Sequence, residues 1–507
     1  MSPAQKYYLG IDIGTYESKG VIIDSECEVV SSAVVNHSME NPKAGYFEHD
    51  ADTVWWYDFC KLSHSLLLKG GISPDEIAGV GASALGSDCL PVDIDCRPLR
   101  KAILYGIDAR SQKEIEFMNE YYGKDIVRRL FGRPICSGDV AAKILWIKNN
   151  EPEVYQKTYK FLTGSSYITA KLTGNYVIDQ FLAQATFKPL YNDDGSFCTE
   201  HCGLYCKPDQ LAEARWVQEL AGYVTRKAAE ETGLCEGTPV ITGTGDSCAE
   251  AISTGVLQAG DLMLQVGSSL FFYCCTDHLI HDDRVRGNNF TIPGTYSIAA
   301  GTNTAGALTR WFRQEIFRDI RPGLDGHDME VYDIMNQGLE KIPPGSDGLI
   351  TLPYFAGERT PINDPNARGM IFGLRLNHTR EHLYRSALES VGYSIGQHID
   401  IFRECGVKLE KISVVGGGTK NRLWMQIISD IIGLPIQLAR VSIGACYGDA
   451  MMAALGTGRF ASFAELRQYI HLAEVFMPNF KRHEVYKKYR KIYDELYRKN
   501  SDLMHQL

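Results

Sequence analysis

The chain has 507 residues, 44% of them hydrophobic and 22% charged, which fits a folded globular protein too long for one hydrophobic core; two or three domains are expected. A net charge of −10 argues against phosphate-rich polymers and anionic membranes as partners, although backbone amides can still hold a small anion. The opening MSPAQKYYLG lacks the basic and apolar regions of a secretory signal, no apolar run reaches the ~20 residues of a membrane span, and the fourteen cysteines include no CxxC pair, so a reduced, cytoplasmic chain is expected.

Residues 7–12 are a short β-rich run, Gly14-Thr15 a turn and 21–23 a second strand; a further turn at 24–28 leads to a third strand over 29–35. Apolar residues at helical spacing cover 53–68, and 77–84 reads as a buried strand ending at Gly86. Cys198, His201, Cys202 and Cys206 recur three or four residues apart, but Gly203 interrupts them and no second pair follows, which favours a loop over a zinc site. The alternation of helices and strands continues to 239–241, a short strand running into Gly243-Thr244-Gly245-Asp246.

After Gly260 the opening pattern restarts, with a strand over 261–266, the turn Gly267-Ser268-Ser269 and a returning strand over 270–275, so that LQVGSS echoes GIDIGT. Together with the length, the echo predicts a duplicated unit: two α/β domains, 1–254 and 255–507, facing one another across a cleft. Residues 412–415 then lead into Gly416-Gly417-Gly418 and a helix over 424–432, and 481–504 is a basic, tyrosine-rich amphipathic helix expected to pack against the body.

Three small-residue turns thus follow strands. Such turns let bare backbone N–H groups converge on a phosphate, and serine and threonine hydroxyls add donors. Asp12, beside the first turn, is placed to hold Mg²⁺ through water, because that ion keeps much of its hydration. Neither a GxxxxGK[ST] loop nor a GxGxxG after the first strand is present, which excludes P-loop and dinucleotide-binding readings. Asp246 follows a strand and two glycines; phosphoryl transfer to an alcohol needs a carboxylate there, whereas the structural alternative is a helix N-cap.

These segments resemble the FGGY carbohydrate kinases, and most closely their xylulose kinase branch. The resemblance runs from LGIDIGTYESKG through EHDADTVWWYDF, RPLRKAILYGIDAR, AAKILWIKNNEPEVY, PVITGTGDSCAEAISTGV and LPYFAGERTPINDPNARGMIFGL to VVGGGTKNRLWMQIISDIIGLPI and GDAMMAALGTGRF. It implies duplicated actin-like (ribonuclease H-like) ATPase domains, ATP and Mg²⁺ in the cleft, and sugar bound mainly by the first domain. Carried over by residue, Asp12 and Thr15 fall in the first phosphate motif with Lys19 just beyond. Gly267, Ser268 and Ser269 fall in the second, Gly416, Gly417 and Asn421 in the adenosine motif, and Asp246 on the general base. RPLRKAILYGIDAR resembles the family's strand leading to an Asp and an Arg, here Asp108 and Arg110, with one extra residue.

The sugar-facing segment departs from the pattern. Where the branch carries Gln-Met-His-Gly, this chain has Leu85-Gly86-Ser87-Asp88, and a second loop reads Ser137-Gly138-Asp139-Val140. Gly86, Ser87, Asp88, Asp139 and Asp246 are therefore the expected sugar contacts, with two added acceptors that favour a neutral ketose or polyol over a sugar acid. The activity expected is ATP-dependent phosphorylation of such a sugar, a pentulose foremost. The alternatives are a sugar-responsive regulator without turnover and an actin-like or chaperone-type ATPase. A small sugar and ATP are the expected partners, with a homodimer allowed and nucleic acid and membranes excluded.

Overall fold

The computed structural model describes residues 6–320 and 328–507. Tyr7–Ile13, Glu17–Ile23 and Val29–Asn36 form the antiparallel meander that opens the first sheet. The first strand also runs parallel to Ile77–Ala84, which is followed outward by the parallel strand Pro239–Ile241 and the antiparallel edge Leu220–Tyr223. Leu9, Ile11, Ile13, Val21 and Val80 are fully buried, as central strands covered on both faces require.

The second sheet repeats this order of orientations. Asp261–Val266, Leu270–Thr276 and Tyr296–Gly301 are its meander, extended by Arg286–Asn289. Lys411–Val415 and Ile436–Ala439 continue it in parallel from Asp261–Val266, and Leu472–Phe476 closes it antiparallel. The two halves differ in connectivity: the antiparallel edge precedes its neighbour in the first half and follows it in the second. The echo between GIDIGT and LQVGSS is thus a true structural repeat.

One element crosses between the halves. The helix Ala445–Gly456 belongs to the second half in sequence but packs on the first sheet, over Gly10 and Gly81, which face each other in register. A Cβ on Gly10 would lie 2.0 Å from the Cys446 carbonyl oxygen, and one on Gly81 2.4 Å from that of Asp449. On the helix's other side Gly448 meets the Asp246–Ser253 helix, where a Cβ would lie 2.0 Å from the Ala249 carbonyl oxygen. Only glycine permits an approach this close.

Two local expectations change. The 53–68 helix is two pieces, a wide turn over Ala51–Trp56 capped by Asp50 and then the helix Tyr57–Gly70. The cysteine cluster is not a loop: Thr199–Tyr205 is a short helix that buries Cys202. Among the described residues no three His, Cys, Asp or Glu side chains are grouped to hold a metal, and no helix is long and apolar enough to cross a membrane. The C-terminal helix Phe480–Met504 packs through Tyr486, Tyr493, Leu496 and Met504.

Candidate active site

The first turn is built from below. Gly14 donates its amide to the Glu17 carbonyl at 3.1 Å, and a Cβ there would meet that oxygen at 2.6 Å. Two histidines that sequence reasoning missed engage the turn's own carbonyls: His37 Nε2 lies 3.1 Å from Gly14 O and His49 Nε2 3.1 Å from Thr15 O. His49 Nδ1 accepts from the Trp55 indole at 3.0 Å, so Nε2 carries the ring's proton. Burial lowers its pKa to about 4 and keeps it neutral. Thr15 Oγ1 lies 3.3 Å from the Tyr105 hydroxyl, and Lys19 pairs with Glu17 at 2.8 Å.

Asp12 stands at the end of the first strand with Ser83 opposite it in register. Ser83 Oγ lies 2.9 Å from Asp12 Oδ1 and 2.6 Å from Asp449 Oδ2. Burial, reinforced by the charge of Asp246, raises the Asp12 carboxyl to about 7.

Asp246 is the first residue of its helix, and Gly245 occupies the N-cap. Asp246 is therefore not the N-cap residue, and Gly245 has no side chain to cap with. Its carboxylate accepts the Ser247 amide at 2.7 Å, and burial outweighs that bond and raises it to about 6. Glu250, one helical turn on, is raised to about 7 by burial and by Asp12, and it accepts from Gln265 of the second half at 3.3 Å. Asp12, Asp246 and Glu250 therefore form an acidic floor between the halves.

Gly86 packs against Gly245, where a Cβ would lie 3.4 Å from the Gly86 Cα, and this brings the Gly86-Ser87 segment beside Asp246. Both residues are half-buried. Asp88 is not accessible. It is fully buried near Lys143, whose ammonium, also buried, donates to the Ser87 carbonyl at 2.5 Å. Burial pushes Asp88 well up and Lys143 down, and their mutual attraction opposes both shifts. Asp139 is fully buried too. Arg133 grips its carboxylate with two bonds of 2.8 Å, and the Cys136 amide adds a third at 2.8 Å. The two free acceptors expected from the sequence are thus occupied or enclosed in this structure. Asp108 and Arg110 are engaged with each other, with Glu48 and with the Phe47 amide.

The second half holds a cavity of about 400 Å³ lined by Gly267, Ser268, Gly417 and Asn421 among the residues expected from sequence. Ser269 and Gly416 adjoin its lining residues in sequence: Gly416 has φ 93°, and a Cβ there would lie 2.7 Å from the Val266 carbonyl oxygen, so it shapes the turn. Asn421 caps the helix Arg422–Ile432 through Trp424 N at 3.0 Å and donates to Asn336 at 3.0 Å. Arg310, Tyr332 and Asn336 also line the cavity, and Arg310 reaches Ser268 Oγ at 3.2 Å. No local motif marked these three. A lining of glycines, a serine, Arg310, Tyr332 and two asparagines suits a phosphate chain joined to a polar heterocycle.

Comparison with known proteins shows the family. Residues 7–253 match the N-terminal domain, and 262–457 the C-terminal domain, of the FGGY family of carbohydrate kinases. The chain belongs to that family, and its duplicated actin-like ATPase fold and its nature as a carbohydrate kinase follow. A xylulose kinase of Bacillus subtilis (strain 168) is 29% identical over 510 residues, covering 98% of each chain, and a gluconokinase of the same organism is 26% identical over 464 residues, covering 90% of this chain and 89% of the relative. The crystal structure of xylulose kinase from Rhodospirillum rubrum aligns with a TM-score of 0.89 at 25% identity, over 99% of this chain and 100% of that one.

Proposed function

We propose that the chain transfers the γ-phosphoryl group of ATP to a hydroxyl of a neutral ketose, a pentulose such as xylulose foremost, with its domains divided at residues 254 and 255. The observation that carries the reading is Asp246: a carboxylate at the head of a helix, raised to about 6, beside Asp12 and next to the accessible Gly86-Ser87 segment. A base of that strength is ionised at neutral pH yet still able to accept the alcohol proton as the new P–O bond forms. Thr15, Lys19 and the Gly267-Ser268-Ser269 turn face the phosphates, while Gly416, Gly417 and Asn421 shape the nucleoside end. Xylulose kinases among the relatives support the pentulose.

The residues present fit a magnesium ion. Asp12 offers hard oxygen donors, and burial together with the charge of Asp246 makes its ionised form costly, a cost that a bound cation would lower. Asp12 would hold the ion through water, with nucleotide phosphates completing its shell. When bound, the ion neutralises charge on the phosphate oxygens. The test is a coupled ADP-release assay over a panel of ketoses, polyols and aldonates. Turnover with a pentulose and none with gluconate is expected, because three acidic side chains flank the acceptor's position. Preference for an aldonate sinks the substrate class.

A further inference from the structure

A phosphate-binding turn works only if its amides point at the ligand, and a trans peptide sets each amide opposite the carbonyl of the residue before it. In the first turn three successive carbonyls are tied down. Gly14 O accepts from the His37 ring and Thr15 O from the His49 ring, each at 3.1 Å, and Tyr16 O accepts from the His37 backbone amide at 2.9 Å. A carbonyl has no proton to give, so both ring contacts run in one direction, with Nε2–H as the donor. The peptides of this turn are trans. With Gly14 O and Thr15 O held, the amides of Thr15 and Tyr16 therefore point the opposite way, and among the described residues neither is bonded to another backbone carbonyl.

The two rings are themselves held. His49 ends the strand Tyr46–His49, is fully buried, and takes the Trp55 indole proton on its other nitrogen at 3.0 Å. His37 follows the strand Val29–Asn36, and its Nδ1 lies 2.8 Å from Asp58 Oδ2, which also accepts from Ser18 Oγ at 2.7 Å. Asp58 and Ser18 are buried. The rings meet edge to face with centroids 5.1 Å apart, so one packed unit grips both carbonyls. Gly14 has no side chain to resist a flip of its peptide, and a flip would aim a carbonyl oxygen where phosphate needs an amide. We propose that His37 and His49 are positioning residues for phosphate recognition: they clamp the carbonyls of Gly14, Thr15 and Tyr16 into the first half and so present the Thr15 and Tyr16 amides to the terminal phosphates of a nucleoside triphosphate.

This role rests on the kinase reading, but nucleotide binding tests it with no sugar present. Calorimetric titration with a non-hydrolysable ATP analogue should show His37→Leu and His49→Leu each weakened about tenfold, the scale of one hydrogen bond to a charged group. Titration with AMP, which lacks the terminal phosphates, should match the wild type. His49→Gln, whose amide donates to Thr15 O and accepts from Trp55, should recover most of the loss. In the wild-type protein the Thr15 and Tyr16 amide resonances should shift with the ATP analogue and not with AMP. Equal weakening of both ligands marks a merely structural role and overturns the proposal, as do leucine variants that bind the analogue like wild type. A glutamine variant as impaired as the leucine one overturns it too. If His49→Leu does not fold, the His37→Leu titrations and the amide resonances decide it. A wild type that turns over no sugar yet shows this split in binding overturns the kinase reading and leaves the clamp standing, whereas one that binds no triphosphate overturns both.

Discussion

At the scale of single residues, Asp246 sets a trade between chemistry and stability. Burial raises its folded pKa to about 6, above the ordinary aspartate value of 3.8, so the fold disfavours the ionised form that the proposed base role needs. Asp246→Asn should therefore lower kcat by ~10²–10⁴-fold while leaving nucleotide binding intact. The same substitution should stabilise the protein at pH 8 by on the order of 1 kcal/mol, since a disfavoured buried charge is removed. That gain should shrink as pH falls through 6 and vanish below about 4, where the wild-type carboxyl is protonated both folded and unfolded. Wild-type kcat should fall over the same acid limb. Thermal melts and pH–rate profiles of the two proteins read both effects; an unchanged kcat, or a variant less stable at pH 8, contradicts the assignment. Asp246 was legible in the sequence because strand, glycines and acid are contiguous there, and the same holds for Asp12, Thr15, Ser268 and Asn421. His37, His49, Lys143, Arg310 and Asp449 were not, because each reaches the site from a segment whose own pattern is that of ordinary core or surface. Asp88 and Asp139 mark the converse limit: the sequence shows a carboxylate but not the buried Lys143 nearby or the Arg133 fork that occupies it.

At the scale of elements, two kinds of glycine do different work, and substitution separates them. Gly81 is a floor tile beneath the crossing helix: alanine there puts a Cβ 2.4 Å from the Asp449 carbonyl oxygen, and backbone must move. Gly81→Ala should destabilise by ~1–3 kcal/mol or more, as overpacking does, and should lower kcat by disturbing the Asp12–Ser83 register. Gly417 has no atom within 4 Å of a built Cβ and lines the nucleotide cavity. Gly417→Ala should leave the melting temperature unchanged and raise KM for ATP, since the added methyl intrudes where phosphate or ribose must approach. Equal stability losses in the two variants would contradict this division of roles. The strands themselves were readable from β-rich runs ended by glycine, and 77–84, 239–241 and 261–266 stand where periodicity put them. Sheet order was not, because pairing Tyr7–Ile13 with Ile77–Ala84 depends on contacts about seventy residues apart that no local pattern encodes. The small-residue face of Ala445–Gly456 likewise does not say which sheet it will cover.

At the scale of the whole molecule, the chemistry is divided. In the proposed reading the base and the sugar-facing segment belong to the first half, and the cavity assigned to the nucleotide belongs to the second. Transfer requires the acceptor oxygen and the γ-phosphorus in near-attack contact, about 3–3.5 Å apart, and exclusion of water that would otherwise hydrolyse ATP. The two halves stay joined at one side. There the Ala445–Gly456 helix is embedded in the first sheet, Tyr447 donates to the Cys27 carbonyl at 2.9 Å, and Arg459 pairs with Glu26 at 2.8 Å. On the other side Tyr273, Phe290 and Ile292 of the second half are buried in one apolar cluster with the first half, Phe181 packs edge-on against Tyr273, and Thr291 donates to Asp179 at 3.2 Å. A rotation about this helix would close the cleft at the expense of shifting the contacts around Tyr273, and such hinge motions run on micro- to millisecond timescales. Small-angle scattering should therefore show compaction when a pentulose and a non-hydrolysable ATP analogue are both present, and less with either alone. Hydrogen exchange of the Ala445–Gly456 helix should stay slow in all states, because the pivot does not open. An unchanged scattering profile with both ligands bound, or a helix that loses its protection on closure, would show that the halves do not move about this axis.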